Sequence, residues 1–232
     1  MKIKKALSYF SKGEIILWLS SVILITVFFC IFDRKGFLSL TASLLGVTSL
    51  IFCAKGHPIG QAIIIVFSIL YGIISFKFTY YGELITYVCM TLPMAVFSLI
   101  SWLKNPYDKG KSAEVRISVL KRSDIIIMCL LTFSVTFAFY FILKALNTAN
   151  LFVSTISVAT SFAASFLMFK RSPYYALAYA ANDIVLIILW VLASTVNISY
   201  LSVTVCFIAF LANDIYGFIN WKKIFKKQNA IK

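Results

Sequence analysis

A chain of 232 residues with 61% hydrophobic and only 13% charged residues lies outside the range of water-soluble domains, about a quarter of whose residues are charged. Its net charge of +14 would suit a nucleic-acid binder. However, the Lys and Arg residues fall in short segments between apolar runs and at both termini, which is the pattern of membrane topology and not of a phosphate-binding face. No nucleic-acid partner is expected, the lipid bilayer is, and residues 1–232 read as a single transmembrane domain.

The first apolar run, Ile15 to Phe32, follows a basic N-terminus and superficially resembles a signal peptide. It is too long for that, and Asp33-Arg34-Lys35 follows it without a small-residue cleavage pattern. It is therefore read as a retained span. Further runs extend over Phe37 to Ala54, Pro58 to Phe76, Leu84 to Leu103, Ile125 to Leu143, Leu151 to Phe169, Pro173 to Val196 and Ile198 to Ile219. Each approaches the roughly 20 residues a helix needs to cross a hydrocarbon core. Helices alone satisfy their backbone polar groups within one segment in lipid, so the fold class is an all-α integral membrane protein of about eight transmembrane helices.

Basic residues test this count. If both termini are cytoplasmic, the inner segments hold 18 Lys and Arg residues and the outer ones four: Arg34, Lys35, Lys77 and Lys144. Such an asymmetry orients a membrane protein and predicts a multi-pass protein of the cytoplasmic (inner) membrane. The longest connection, 104–123, reads as a solvated basic loop at the inner surface, within reach of anionic headgroups.

That loop separates two related halves, 14–103 and 124–221. Glu14 aligns with Asp124, Lys55 and Pro58 with Lys170 and Pro173, and Trp102 with Trp221, at offsets of 110, 115 and 119. Four spans per half is an even number, so both halves point the same way, as parallel repeats do.

The five cysteines lie in apolar runs without close pairing, and His57 is the single histidine. No disulfide, metal or cofactor is expected. Without a His cluster, Ser-His pair or CxxC motif, the chain does not read as an enzyme.

Acidic groups at membrane depth are costly and tend to mark function. Asp183 falls mid-span, Asp214 two thirds along the last span, and Glu83 at the start of the fourth. Helical spacing adds Tyr179, Asn182 and Trp190 to the face of Asp183, gathers Asn213, Tyr216 and Asn220 on the last span, and places Gln61 and Tyr71 on the third, with Tyr87 on the fourth. Amides and aromatics converging in a membrane suit a small amphipathic ligand with a flat ring and hydroxyls. Hydrogen bonding between helices is the competing explanation for these groups. Trp18, Tyr80, Tyr81, Trp102, Tyr200 and Trp221 at span ends are expected as interfacial anchors, and Pro93 as a kink.

The segments YGE (Tyr81 to Glu83), ND followed by IILW (Asn182, Asp183, Trp190) and YGFINW (Tyr216 to Trp221) resemble the PnuC family of nicotinamide riboside transporters, along about the whole chain. The resemblance implies a SWEET-like fold, with two parallel three-helix bundles joined by a linker helix (here span five), and span one as an additional helix. It further implies a homo-oligomer, in particular a homotrimer, and facilitated diffusion of a vitamin precursor for NAD biosynthesis, trapped by intracellular phosphorylation. Where the family often carries a Trp pair before a buried Asn, this chain has Ala176 and Tyr179 before Asp183. The alternative is a proton-coupled carrier of another vitamin, such as thiamine or riboflavin. For nicotinamide riboside, Tyr179 and Trp190 would face the cationic ring, Asp183 would balance its charge, and Gln61, Asn213 and Asn220 would bond the ribose.

Overall fold

The computed structural model describes residues 9–34, 36–77, 81–108 and 114–230, without the side chains of Lys77 and Tyr81. Among them, eight helices are long and apolar enough to cross a membrane. These are α1 (Lys12–Phe32), α2 (Phe37–Ala54), α3 (Ile59–Lys77), α4 (Tyr81–Ile85, Thr86–Thr91 and Leu92–Lys104 in continuity), α5 (Arg122–Ala145), α6 (Leu151–Phe169), α7 (Tyr175–Ser194) and α8 (Leu201–Ala230, after a short 3₁₀ turn). The expected all-α membrane fold and its eight spans are what the structure has. Lys35 and Tyr80, and the side chains of Lys77 and Tyr81, lie outside the described residues.

Odd and even helices run in opposite directions, so one end of the bundle gathers Lys12, Lys55, Lys104, Lys170, Arg171 and Lys222. At this basic end the chain's two halves are hydrogen-bonded to each other. The Trp102 indole donates to the Met168 carbonyl at 3.0 Å, and the Trp221 indole to that of Cys53 at 2.8 Å. Ser101 donates to Phe169 O and Asn220 to Ala54 O, both at 2.9 Å. Each pair consists of the same contact made by aligned positions of the two halves. The expectation of Trp102 and Trp221 as interfacial anchors fails, since they are 1% and 0% exposed and their rings lie 5.4 Å apart. An indole N–H in a low-dielectric interior needs an acceptor, and these two find one on the opposite half.

The same correspondence holds for the ion pairs. Lys55 meets Glu14 at 3.2 Å and Lys170 meets Asp124 at 2.7 Å. Glu14 also accepts from the Ser11 backbone in a capping box, so one carboxylate both starts α1 and fastens it to the α2 end.

α2 and α3 pack so closely that a Cβ on Gly60 would lie 2.8 Å from the Cys53 backbone nitrogen and 2.9 Å from the Ser49 carbonyl oxygen. α8 packs against α7, α2 and α1, whereas α4 packs against α3 and α6. α4 holds one irregularity. Pro93 has no N–H to give to a preceding carbonyl, and the chain accommodates it by a π-helical turn over Thr86–Thr91, with Leu92 N–H bonded to Tyr87 O.

Residues 114–121 differ from the expected solvated loop. They run extended across the basic end, with Val115 1% and Ile117 8% exposed in one cluster with Trp102, Tyr175 and Trp221.

Candidate functional site

A cavity of about 540 Å³ lies between the two halves, within the usual size of a small-molecule site. At the end opposite the basic one it is lined by Asn147, Thr148, Asn150 and Val196. It descends past Glu83, Thr86 and Tyr87 of α4 and Asn182 and Trp190 of α7 to Met168, Tyr179 and Asp214. Beneath that floor, Gln61 donates to Met168 Sδ at 2.8 Å, and the Trp102–Trp221–Tyr175 cluster closes the way to the basic end.

The sequence-selected residues divide into two groups. Glu83, Tyr87, Tyr179, Asn182, Trp190 and Asp214 line the cavity. Thr160 donates to Asn182 Oδ1 at 2.7 Å, which fixes the orientation of that amide, and Tyr179 OH is 2.8 Å from Ser165 Oγ. Tyr87 forms an aromatic wall with Phe67 in front of Tyr71, whose ring lies 4.6 Å from that of Tyr87.

The other six stand off the wall. Tyr71 is behind Tyr87, and Gln61 is below the floor with Oε1 unpartnered. Asp183 is buried behind Asp214, with its Oδ2 unpartnered. The remaining three turn towards other helices: Asn213 donates to Ser21 of α1 and Ala209 O, Tyr216 donates to Glu14 at 2.7 Å, and Asn220 reaches Ala54 O. In the structure these three hold α8 to α1 and α2.

Sequence reasoning missed a polar stripe on α6. Ser154, Ser157 and Ser161 line the cavity, and their spacing of three and four residues was the signal for it. Tyr200, expected as an interfacial anchor, also lines the cavity, with its ring 5.5 Å from that of Trp190.

Charge on this wall is one-sided. Glu83 and Asp214 are its acids, and among the described lining residues there is no Lys, Arg or His.

Residues 36–223 match the model of the nicotinamide mononucleotide transporter family. The chain belongs to that family. It is 23% identical over 216 residues to the nicotinamide riboside transporter PnuC of Neisseria mucosa, covering 92% of this chain and 82% of that protein. Identity to the PnuC of Haemophilus influenzae is 21%, over 92% of each. A solved structure described as the vitamin B3 transporter PnuC superposes with a TM-score of 0.79 at 23% identity, over 94% of both chains. The PnuC resemblance read from the YGE, ND and YGFINW segments agrees with all of these. The chain is accordingly a multi-pass membrane protein of a transporter family.

Proposed function

We propose that the chain carries nicotinamide riboside, an unphosphorylated nucleoside with a cationic ring, across the cytoplasmic membrane by facilitated diffusion. The observation that carries this reading is the cavity wall that presents two carboxyl groups, Glu83 and Asp214, and, among its described residues, no basic side chain. In a poorly screened site such a wall attracts a pyridinium and repels a phosphate, and Tyr179, Tyr87 and Trp190 offer ring faces to the cation. The names of the relatives support the same ligand. Phosphorylation of the product after passage would give it a charge that this wall disfavours, so the trapped form would not return.

The reading includes two parallel repeats in a 3+1+3 arrangement with α1 added, supported by the paired Trp, carbonyl and ion-pair contacts. It also includes both termini in the cytoplasm and a homo-oligomeric assembly, a trimer in the family resembled.

Thermal-shift and binding measurements on purified protein with nicotinamide riboside, its 5′-phosphate, thiamine and riboflavin test the ligand. The riboside is expected to bind and its phosphate to bind at least about tenfold more weakly, since one unfavourable charge contact in a desolvated site exceeds about 1.4 kcal/mol. Equal binding of the two would overturn the reading.

A second reading, proton-coupled transport of this or another vitamin, is favoured by one feature. Asp183 and Asp214 are acids on the adjacent helices α7 and α8, 3% and 4% exposed, with Asp183 Oδ2 unpartnered, and buried acids within a membrane are the usual elements of a proton relay. Collapse of uptake with a protonophore, at unchanged substrate gradient, would select it over facilitated diffusion.

A further inference from the structure

Residues 114–121 hold both halves of the basic end at once. The Val115 N–H donates to Gly56 O, and the Ser118 N–H donates to Arg171 O, both at 3.0 Å. Gly56 and Arg171 are aligned positions. Each stands two residues past its helix, with φ +65° and +55°, in the left-handed conformation that ends a helix in a Schellman turn. The turns match bond for bond: His57 N–H reaches Phe52 O at 3.0 Å, and Ser172 N–H reaches Leu167 O at 2.9 Å. The segment is thus tied to the equivalent carbonyl of the α2–α3 and α6–α7 turns.

It is also tied to the ends of α4 and α8. Arg116 N–H donates to Asn105 O at 2.9 Å, and Arg171 returns a bond from Nε to Arg116 O at 3.1 Å. Gln228, in the last turn of α8, accepts from Ile117 N–H at 2.9 Å and donates to Val115 O at 3.0 Å and to Glu114 at 2.8 Å. Its amide pairs with the segment as a neighbouring strand would. Val115 and Ile117 meanwhile sit in the aromatic cluster that closes the cavity floor.

A passage to the basic end requires Trp102 and Trp221 to part, each being bonded to a carbonyl of the opposite half. The two turns cannot separate while one extended segment, with little slack over four residues, is bonded to both. We propose that residues 114–121 are the lock of the closed basic-end gate, and that Gln228 is the positioning residue that keeps the lock seated. Leaving the cavity towards the basic end then begins with release of this segment from one turn. The proposal rests on the cavity being a transport site, yet its test reads labelling and not uptake, so the two can fail separately.

Cys53 reports the gate, because it is 1% exposed beneath the floor and belongs to the closing cluster. Cys206 serves as a control, being 4% exposed in a different cluster with Ile25 and Val47. In full-length protein with Cys30, Cys89 and Cys129 replaced by Ser, membrane-impermeant maleimide is applied to the basic side of oriented vesicles. The rates at Cys53 and Cys206 are then read by mass spectrometry. Gln228→Ala is expected to raise the Cys53 rate about tenfold, as loss of its three hydrogen bonds, each of modest net strength, from the closed state implies, with Cys206 unchanged. Ser118→Pro, which removes the N–H bonded to Arg171 O and leaves Gln228 intact, is expected to act in the same direction. An unchanged Cys53 rate in both variants overturns the proposal, as does a parallel rise at Cys206, which would report general loosening.

Discussion

Gly60 shows how single residues fix the distance between helices. A methyl group there would press on backbone atoms of Cys53 and Ser49 at 2.8 and 2.9 Å, and backbone cannot move aside as a flexible side chain can. Gly60→Ala is expected to cost about 1–3 kcal/mol, the usual range for overpacking, and to lower the thermal midpoint in detergent. Gly13→Ala, with nothing within 4 Å of the added carbon, should leave it unchanged. Equal midpoints for the two variants would mean that α2 and α3 have freedom to separate. No feature of the sequence distinguishes these two glycines, because helix approach is a property of packing and not of local pattern. Asn213, Tyr216 and Asn220 illustrate a related limit. Their shared helical face was legible from spacing, but which neighbour that face meets was not. In the structure it meets Ser21, Glu14 and Ala54, polar contacts between helices that leave Asn213 Oδ1 unpartnered.

Among the elements, α4 has the most unusual shape for its position. The π-helical turn at Thr86–Thr91 precedes Pro93 and carries Tyr87 into the cavity wall. Pro93→Ala restores an N–H and removes the ring clash, so a regular α-helical register becomes available and Tyr87 would rotate with it. Riboside uptake is expected to fall severalfold while the thermal midpoint holds or rises, because removal of Pro favours the helix itself. A fall in both would instead mark Pro93 as a packing residue. Hydropathy located every span, because lipid exposure demands apolar side chains whatever the packing. It was less informative where chain leaves the bilayer. α8 was expected to stop at Ile219 but runs to Ala230, since the end of an apolar run reports the edge of the membrane and not the end of the helix. In 114–121 the alternation Val115, Ile117, Val119 is a strand-like pattern that the basic composition of the surrounding loop obscured. Burial of its first two members is what the pattern encodes.

For the molecule as a whole, the side to which the cavity opens depends on which side the basic end faces. The cavity is lined by loop residues at the other end and closed at the basic end by the Trp102–Trp221–Tyr175 cluster. If the 18-to-four distribution of Lys and Arg follows the positive-inside rule, the structure is open to the exterior and closed to the cytoplasm, the state that captures an incoming nutrient. A fluorescent protein fused after Lys232 is then expected to mature in the cytoplasm and fluoresce, and alkaline phosphatase inserted between Asn147 and Asn150 should be active outside. The opposite pair of signals would turn the cavity towards the cytoplasm and make the observed state one of release. Because the charge bias is spread over several segments, no single substitution should invert it. Neutralising Lys55 and Lys170 together removes two of the 18 charges and both inter-helix ion pairs. It should therefore lower stability while leaving both topology reporters unchanged.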